Sequence, residues 1–313
     1  MKVGIVGCGM VGSSAAFAMI MSGIGREIVL VDRNTARAEA EADDLFHAVP
    51  FAHNLRVKAG GYSDLANASV VVLTAGVSQK PGETRLELLG RNKAVFEEIV
   101  PQVLKYAPGA MIVVASNPVD VMTHLTANIA MRYGMSSSRV IGSGTMLDTA
   151  RFRTLVGEAL LVDSHHVHAY VIGEHGDSEV LTWSLATVAG LHLDEYCHSL
   201  GICLHEHQKQ IIDDRVRGAA YRIIQGKGST YYGIGSALAR LVKTILNDHR
   251  AVLTVCAREK LIEGVEDVTL SMPRVVGGSG VQSTIPLHLA PEEHQGLRKS
   301  ALVLKEAISS IEK

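Results

Sequence analysis

The chain has 313 residues, 47% of them apolar and 20% charged, and its 30 Lys and Arg against 32 Asp and Glu leave a net charge of −2. This composition excludes a disordered tail protein, and so even a charge balance gives no electrostatic reason to expect nucleic acid or an anionic membrane surface as partner. At roughly 150 residues per domain the length suggests two domains, with enough chain to bury a core unaided. Four cysteines, Cys8, Cys197, Cys203 and Cys256, show no short spacing and read as free thiols of a reducing compartment. No apolar run approaches the ~20 residues of a membrane span. Met1 and Lys2 lead straight into an apolar run, with no room for a signal peptide, so a cytoplasmic protein is expected.

Short β-branched runs at Val3 to Val6, Ile28 to Val31, Val70 to Leu73, Met111 to Ala115 and Val140 to Ile141 predict strands, with a weaker one at Leu55 to Lys58. Helical spacing covers Val11 to Met21, Thr35 to Phe46, Lys93 to Tyr106 and Val119 to Tyr133. The strands are apolar at nearly every position, as strands covered on both faces are, and alternation of strand and helix argues for a parallel sheet with right-handed crossovers. After Gly142 the rhythm changes. A helix from Leu147 to Val156 and a strand from Val167 to Ile172 precede helical patterns at His205 to Gln225 and Ile234 to Asn247. Strands at Val252 to Ala257 and Val268 to Met272 come next, then a glycine turn at residues 277–280. Leu297, Ala301, Leu304, Ile308 and Ile311 form an apolar stripe on a final helix. The fold expected is α/β, a Rossmann-type doubly wound parallel sheet over residues 1–142 followed by an α+β substrate-binding and catalytic domain over residues 143–313.

Gly7-Cys8-Gly9-Met10-Val11-Gly12 matches G-x-G-x-x-G between a predicted strand and helix, and Asp32 stands twenty residues beyond Gly12 at the end of the second strand. That context is the one a dinucleotide fingerprint requires. The glycines allow a tight turn and close approach to a pyrophosphate at a helix N-terminus. Asp32 would accept from ribose hydroxyls and repel a 2′-phosphate, favouring NAD. A methyltransferase shares the glycine-rich loop and the acidic residue, but the residues further along the chain decide against it.

Gly173-Glu174-His175-Gly176-Asp177 closes a second-half strand, Asp148 and Arg151 lie three apart on one helix, and a polar segment from Ser78 to Arg85 comes after the fourth predicted strand. By itself a His beside a turn is more often structural. Together these are the parts that hydride transfer to a 2-oxo acid needs: an Arg fork for the carboxylate, a His titrating near neutrality, a carboxylate to orient it, and a second cation for the carbonyl oxygen.

On these motifs the chain resembles the bacterial branch of the lactate/malate dehydrogenase family, from first strand to last helix. The resemblance implies NAD-dependent interconversion of pyruvate and L-lactate. It makes His175 the acid/base, Asp148 its partner, Arg151 the carboxylate clamp and Arg85 the group that polarises the carbonyl from a closing loop. It places Asn117, in Ser-Asn-Pro-Val-Asp, beside substrate and nicotinamide ribose, Thr230 in the substrate pocket and Ile234 on the nicotinamide. Thr74, Ala75 and Gly76 join Gly7, Gly9, Met10, Val11, Gly12 and Asp32 as cofactor contacts. Gln79 stands where malate enzymes carry Arg, so a neutral side chain favours pyruvate over oxaloacetate.

The resemblance further implies that Arg153 and His168 form a fructose bisphosphate site across paired subunits of a homotetramer. The chain begins at its first strand, without the arm that braces the animal members, so a dimer–tetramer equilibrium is expected. His165, His166 and His168 lack further ligands nearby, and no metal is expected. The rivals are a malate or branched 2-hydroxy acid dehydrogenase and a catalytically silent NAD-binding regulator. We predict that Gln79→Arg moves preference toward oxaloacetate; unchanged kcat/KM ratios for the two substrates would remove Gln79 from that role.

Overall fold

The computed structural model describes residues 1–77, 85–202 and 204–312. Strand β1 (Lys2–Val6) leads to α1 (Met10–Met21), β2 (Glu27–Val31), α2 (Thr35–Ala48) and β3 (Arg56–Ala59). A second run holds β4 (Ala68–Leu73), α3 (Arg85–Tyr106), β5 (Met111–Val114), α4 (Val119–Arg132) and β6 (Val140–Gly142). These strands lie parallel in the order β3-β2-β1-β4-β5-β6. The order reverses between β1 and β4, which opens a crevice at their carboxyl ends.

Successive side chains point to opposite faces of the sheet, and both faces are covered. Val3 and Ile5 of β1 and Val70 and Val72 of β4 pack with Ala16 and Ile20 of α1. Val6, Val71 and Leu73 pack on the other side with Phe96 and Val100 of α3. This two-sided burial is why the strands read as continuous apolar runs. Helix α3 starts at Arg85 rather than Lys93, because Gly90 and Asn92, both weak helix formers, interrupt the pattern at its start.

The second half opens with α5 (Met146–Leu160) and the two-residue strands β7 (Val167–His168), β8 (Val171–Ile172), β9 (Val180–Leu181), β10 (Thr187–Val188) and β11 (Leu191–His192). Helices α6 (Leu193–Leu200), α7 (Glu206–Arg217), α8 (Ala219–Lys227) and α9 (Tyr232–Leu246) come after them. The chain ends with β12 (Ala251–Ile262), β13 (Val265–Gly277), β14 (Gly280–Thr284) and α10 (Pro291–Glu312).

The structure corrects several expectations. The single strand over Val167 to Ile172 is two, in different small sheets. Between them the Ala169 carbonyl accepts from Arg153 Nε at 2.9 Å and the Tyr170 carbonyl from the Thr182 N–H at 2.9 Å, so the ladder changes partners. The helix over His205 to Gln225 is broken at Gly218, whose N–H closes α7 on the Asp214 carbonyl while its own carbonyl accepts from Arg222 to open α8. The strands near Val252 and Val268 are longer than expected and meet in a hairpin at Glu263-Gly264; the 277–280 turn leads into a further strand, β14.

The sheet does not stop at residue 142. Cys256 of β12 pairs antiparallel with Gly142 of β6, and β13 and β14 continue the sheet to nine strands. The stripe of α10 is buried, Leu297, Leu304, Ile308 and Ile311 joining the α3 and α4 side of the core. A third cluster, Phe152, Val156, Leu193, Ile212 and Val216, seals α5, α6 and α7 together. Among the described residues no helix is long and apolar enough to cross a membrane.

Helix α1 is seated on the glycine turn by Gly12, where a Cβ would collide with the Gly7 carbonyl oxygen and lie 2.9 Å from Thr74 Oγ1. We predict that Gly12→Ala costs about 1–3 kcal/mol of stability, read as a lower urea midpoint. An unchanged midpoint would contradict so close a seating.

Candidate active site

The crevice between β1 and β4 gathers the expected cofactor residues. Gly7 has φ +103°, and a Cβ there would collide with the backbone of Ala75. Thr74 Oγ1 donates to the Gly7 carbonyl at 2.6 Å and Ser116 Oγ to the Ala75 carbonyl at 2.5 Å, closing the crevice floor. No side chain caps α1, whose N-cap is Gly9 and whose first residues are Met10 and Val11. Its first N–H groups therefore face the turn, as an anion site requires. Nothing lies within 4 Å of the Cβ that Gly9 lacks, so its surface is open.

Asp32 Oδ2 accepts from the Cys8 N–H at 2.7 Å and Oδ1 from the Asn34 N–H at 2.8 Å. The carboxylate thus braces the turn as well as presenting charge, and each oxygen keeps a lone pair for a hydroxyl. Gly76 lies close to Asn92, whose Oδ1 accepts from the Val77 N–H and whose Nδ2 donates to the Asn117 carbonyl at 3.1 Å. Asn117 is itself exposed. These residues fit a dinucleotide. Cys8 is buried in the turn, and burial, with Asp32 beside it, pushes its thiol up to about 12.

At the other end, His175 Nδ1 and Asp148 Oδ2 are 2.6 Å apart, and Arg151 Nη1 donates to Asp148 Oδ1 at 2.6 Å. Helix α5 supplies Asp148 in its first turn, with Arg151 one turn on. Two threonines at the start of α5 fasten it to β8. Thr145 Oγ1 donates to the Val171 carbonyl at 2.5 Å, and Thr149 Oγ1 accepts from the Val171 N–H at 2.9 Å. His175 is reached from β8 through Gly173, whose N–H and carbonyl both pair with Ser271 of β13 at 2.9 Å. The Glu174 N–H donates to Ser300 Oγ of α10 at 2.7 Å, and the His175 N–H to Asp120 Oδ2 of α4 at 2.8 Å. Four elements therefore fix one imidazole.

The electrostatics are set by burial and pairing. Burial alone would lower the His175 pKa, but the charge and hydrogen bond of Asp148 outweigh it and raise it to about 9. Burial likewise works against ionised Asp148, yet His175 and Arg151 hold its carboxyl below the usual range. Burial pushes Asp120 up to about 6, partly offset by the His175 N–H. The result is an imidazolium at neutral pH with Nδ1 committed, which leaves Nε2 as the atom that can exchange a proton.

Ile234 on α9 is half-buried against the core beside α1. Gly235 lets α9 approach Ser14, and a Cβ at Gly233 would lie 3.0 Å from Leu147, the neighbour of Asp148. Thus the first turn of α9 approaches the start of α5, and Thr230, half-buried, stands two residues before α9. Gln79 and the side chain of Arg85 lie outside the described residues, as does Cys203. Arg153 and His168 sit apart from the couple: Arg153 is partly buried with its guanidinium 5.4 Å from the Tyr170 ring centre, and His168 is exposed on β7.

Sequence reasoning missed Asn92, Asp120, Ser271, Ser300 and Glu179. Asp120 ends the Ser-Asn-Pro-Val-Asp run, and Glu179 stands two residues past the Gly-Glu-His-Gly-Asp run, so both were within reach. Ser271 and Ser300 carried no spacing that marks them.

Residues 1–142 match the sequence model of the lactate/malate dehydrogenase NAD-binding domain, and residues 145–313 that of the lactate/malate dehydrogenase alpha/beta C-terminal domain. The chain is 58% identical to an L-lactate dehydrogenase of Geotalea daltonii and 52% identical to one of Thermus aquaticus, with 99% of both chains covered in each case. Its structure is similar to that of a minor L-lactate dehydrogenase from Enterococcus mundtii, with TM-score 0.94 and 43% identity, covering 99% of this chain and 98% of the other.

The pairing of His175 with Asp148 is open to test. The imidazolium that the pairing favours persists below the His175 pKa and is lost as pH rises through it. In Asp148→Asn the raising partner is gone while burial remains, and we predict that the alkaline limb of the reductive kcat/KM falls by roughly one to three pH units. Neutral-pH kcat/KM should drop on the order of 100-fold. A limb unmoved in that variant would refute the pairing.

Proposed function

The chain belongs to the lactate/malate dehydrogenase family, and on that premise we propose that it is an NAD-dependent L-lactate dehydrogenase interconverting pyruvate and L-lactate. The observation that carries this reading is the His175–Asp148–Arg151 constellation, since binding NAD alone requires none of the three. The nicotinamide, when bound, would supply the hydride as NADH for reduction and accept it as NAD⁺ in oxidation. The turn of Gly7, Gly9 and Gly12 with the uncapped α1 would hold the cofactor's pyrophosphate, Asp32 its adenosine ribose, and Thr74, Ala75, Gly76, Asn117 and Ile234 the nicotinamide side. Residues 1–142 then form the NAD-binding domain and residues 143–313 the substrate-binding and catalytic domain, with Ile234 reaching the cofactor from the second and Arg85 and Gln79 the substrate from the first.

Arg151 spends one N–H on Asp148 and keeps the rest of its fork for the substrate carboxylate. His175 donates its Nε2 proton to the forming alkoxide, and Asp148 stabilises the imidazolium before that transfer. In the oxidising direction the same nitrogen takes the hydroxyl proton. Arg85 would stabilise charge on the carbonyl oxygen, Thr230 would line the pocket and Gln79 would disfavour a second carboxylate.

The same reading assigns Arg153 and His168 to a fructose bisphosphate site in a homotetramer or dimer–tetramer equilibrium, in the cytoplasm. It is supported by the position of Arg153, anchored through Nε to Ala169 one residue from exposed His168. The effector would act by offsetting like charge between subunits.

NADH oxidation with pyruvate and with oxaloacetate, each with and without fructose bisphosphate, tests the whole reading. We expect pyruvate to lead by about 100-fold in kcat/KM, with activation that Arg153→Gln abolishes. Dominant oxaloacetate turnover would overturn the substrate assignment, and equal activation of parent and Arg153→Gln the effector site.

A further inference from the structure

We propose that Glu179 is a third ionisable member of the His175–Asp148 couple, a positioning residue that holds the proton on the imidazole and so extends 2-oxo acid reduction into alkaline solution. The proposal rests on the dehydrogenase reading above and deepens it, because Glu179 acts through His175 and is given no contact with substrate.

Three observations carry it. First, Asp148, His175 and Glu179 each place one polar side-chain atom within 4.8 Å of the other two. Secondly, Glu179 is 4% exposed, and its Oε1 is buried with no hydrogen-bond partner among the described residues. A carboxyl placed so is costly to ionise and is a rare find in a packed interior. Thirdly, its backbone is tightly held. The Glu179 N–H bonds to the Gly176 carbonyl, and Arg217 Nη1 of α7 donates to the carbonyls of Asp177 and Glu179. Tyr221 of α8 donates to Asp177 Oδ1 at 2.9 Å. The carboxyl is thus built into the site rather than left there by a loose turn.

The charges around it act in both directions. From α5, Asp148 opposes ionisation of Glu179 and Arg151 favours it; from α7, Arg217 favours it, with Asp213 3.8 Å from that guanidinium. On its own segment His175 favours ionisation, Glu174 lies on the same turn, and Asp120 of α4 reaches the His175 N–H. Burial dominates, and the Glu179 carboxyl is pushed up to about 8, while His175 is raised to about 9. As pH rises, Glu179 therefore ionises in the range where His175 also titrates. Its new negative charge then stabilises the imidazolium, so the two groups release protons as a coupled pair rather than independently. No bond to carbon is made or broken by Glu179; a single proton leaves it for solvent.

The test is the pH dependence of kcat/KM for pyruvate reduction in wild type, Glu179→Gln and Glu179→Asp. The glutamine is isosteric and uncharged. Its alkaline limb, read relative to its own neutral-pH plateau, should move down by roughly one pH unit, with Glu179→Asp restoring part of the shift. A coincident limb, or an equal loss at every pH with no displacement, overturns the proposal. A measurement on wild type needs no variant to fold: the His175 imidazole nitrogen resonance, assigned by its loss in His175→Asn, should titrate in two steps. A single step refutes the coupling. Absence of turnover on pyruvate by wild type would instead strike the dehydrogenase reading, and the resonance would still report on Glu179.

Discussion

The hydrogen bond between Asp148 and His175 is the constraint around which the second half of the molecule is arranged. An ionised carboxylate 2% exposed is tolerated only with partners that replace water, and an imidazole keeps a proton in that setting only with a fixed anion at hand. Each group therefore needs the other, and both need a scaffold that stops them drifting apart. Ser271 supplies much of it: its backbone pairs twice with Gly173 while its Oγ accepts from the Thr145 N–H at 3.1 Å. One fully buried residue of β13 thereby holds both the segment that carries His175 and the start of the helix that carries Asp148.

The cofactor end solves the opposite problem. There the chain must come close without filling space, so glycine occupies the positions where a methyl group would strike backbone, and an acidic side chain ties the turn to the next strand. The two ends meet because α9 runs from the start of α5 to the face of α1, with Gly233 and Gly235 permitting both approaches. One helix thus packs on both α1, at the glycine turn, and the start of α5, which carries Asp148.

How far this could be read from sequence depended on which interactions define each part. Five of the six parallel strands were legible because burial on both faces writes itself as apolar runs rich in Val, Ile and Leu; β3, Arg-Val-Lys-Ala at the sheet edge, is half exposed and reads weakly. Asp148, Arg151 and His175 were legible because residue chemistry and motif context mark them. The strands of two residues, β7 to β11, are too short to show any period. The break at Gly218 was hidden because the helices on either side share one apolar phase. Glu179 escaped for a different reason: its character comes from surroundings that only folding assembles, and a glutamate two residues past a motif looks like any solvated charge. Ser271 and Ser300 act through hydrogen bonds to a distant backbone, for which sequence carries no local mark.

The join between β6 and β12 is a single paired position, Gly142 with Cys256, in a sheet whose neighbouring ladders run for three or more. Twisting stiffness along a sheet comes from consecutive rungs, so compliance concentrates where there is one. Side-chain packing makes up that deficit, because Val114 and Met122 on the nucleotide side share one core with Cys256, Leu270 and Leu304 beyond the join. Any rotation about the join would have to disturb that shared core and the His175 N–H to Asp120 hydrogen bond, which ties the imidazole to α4 on the nucleotide side.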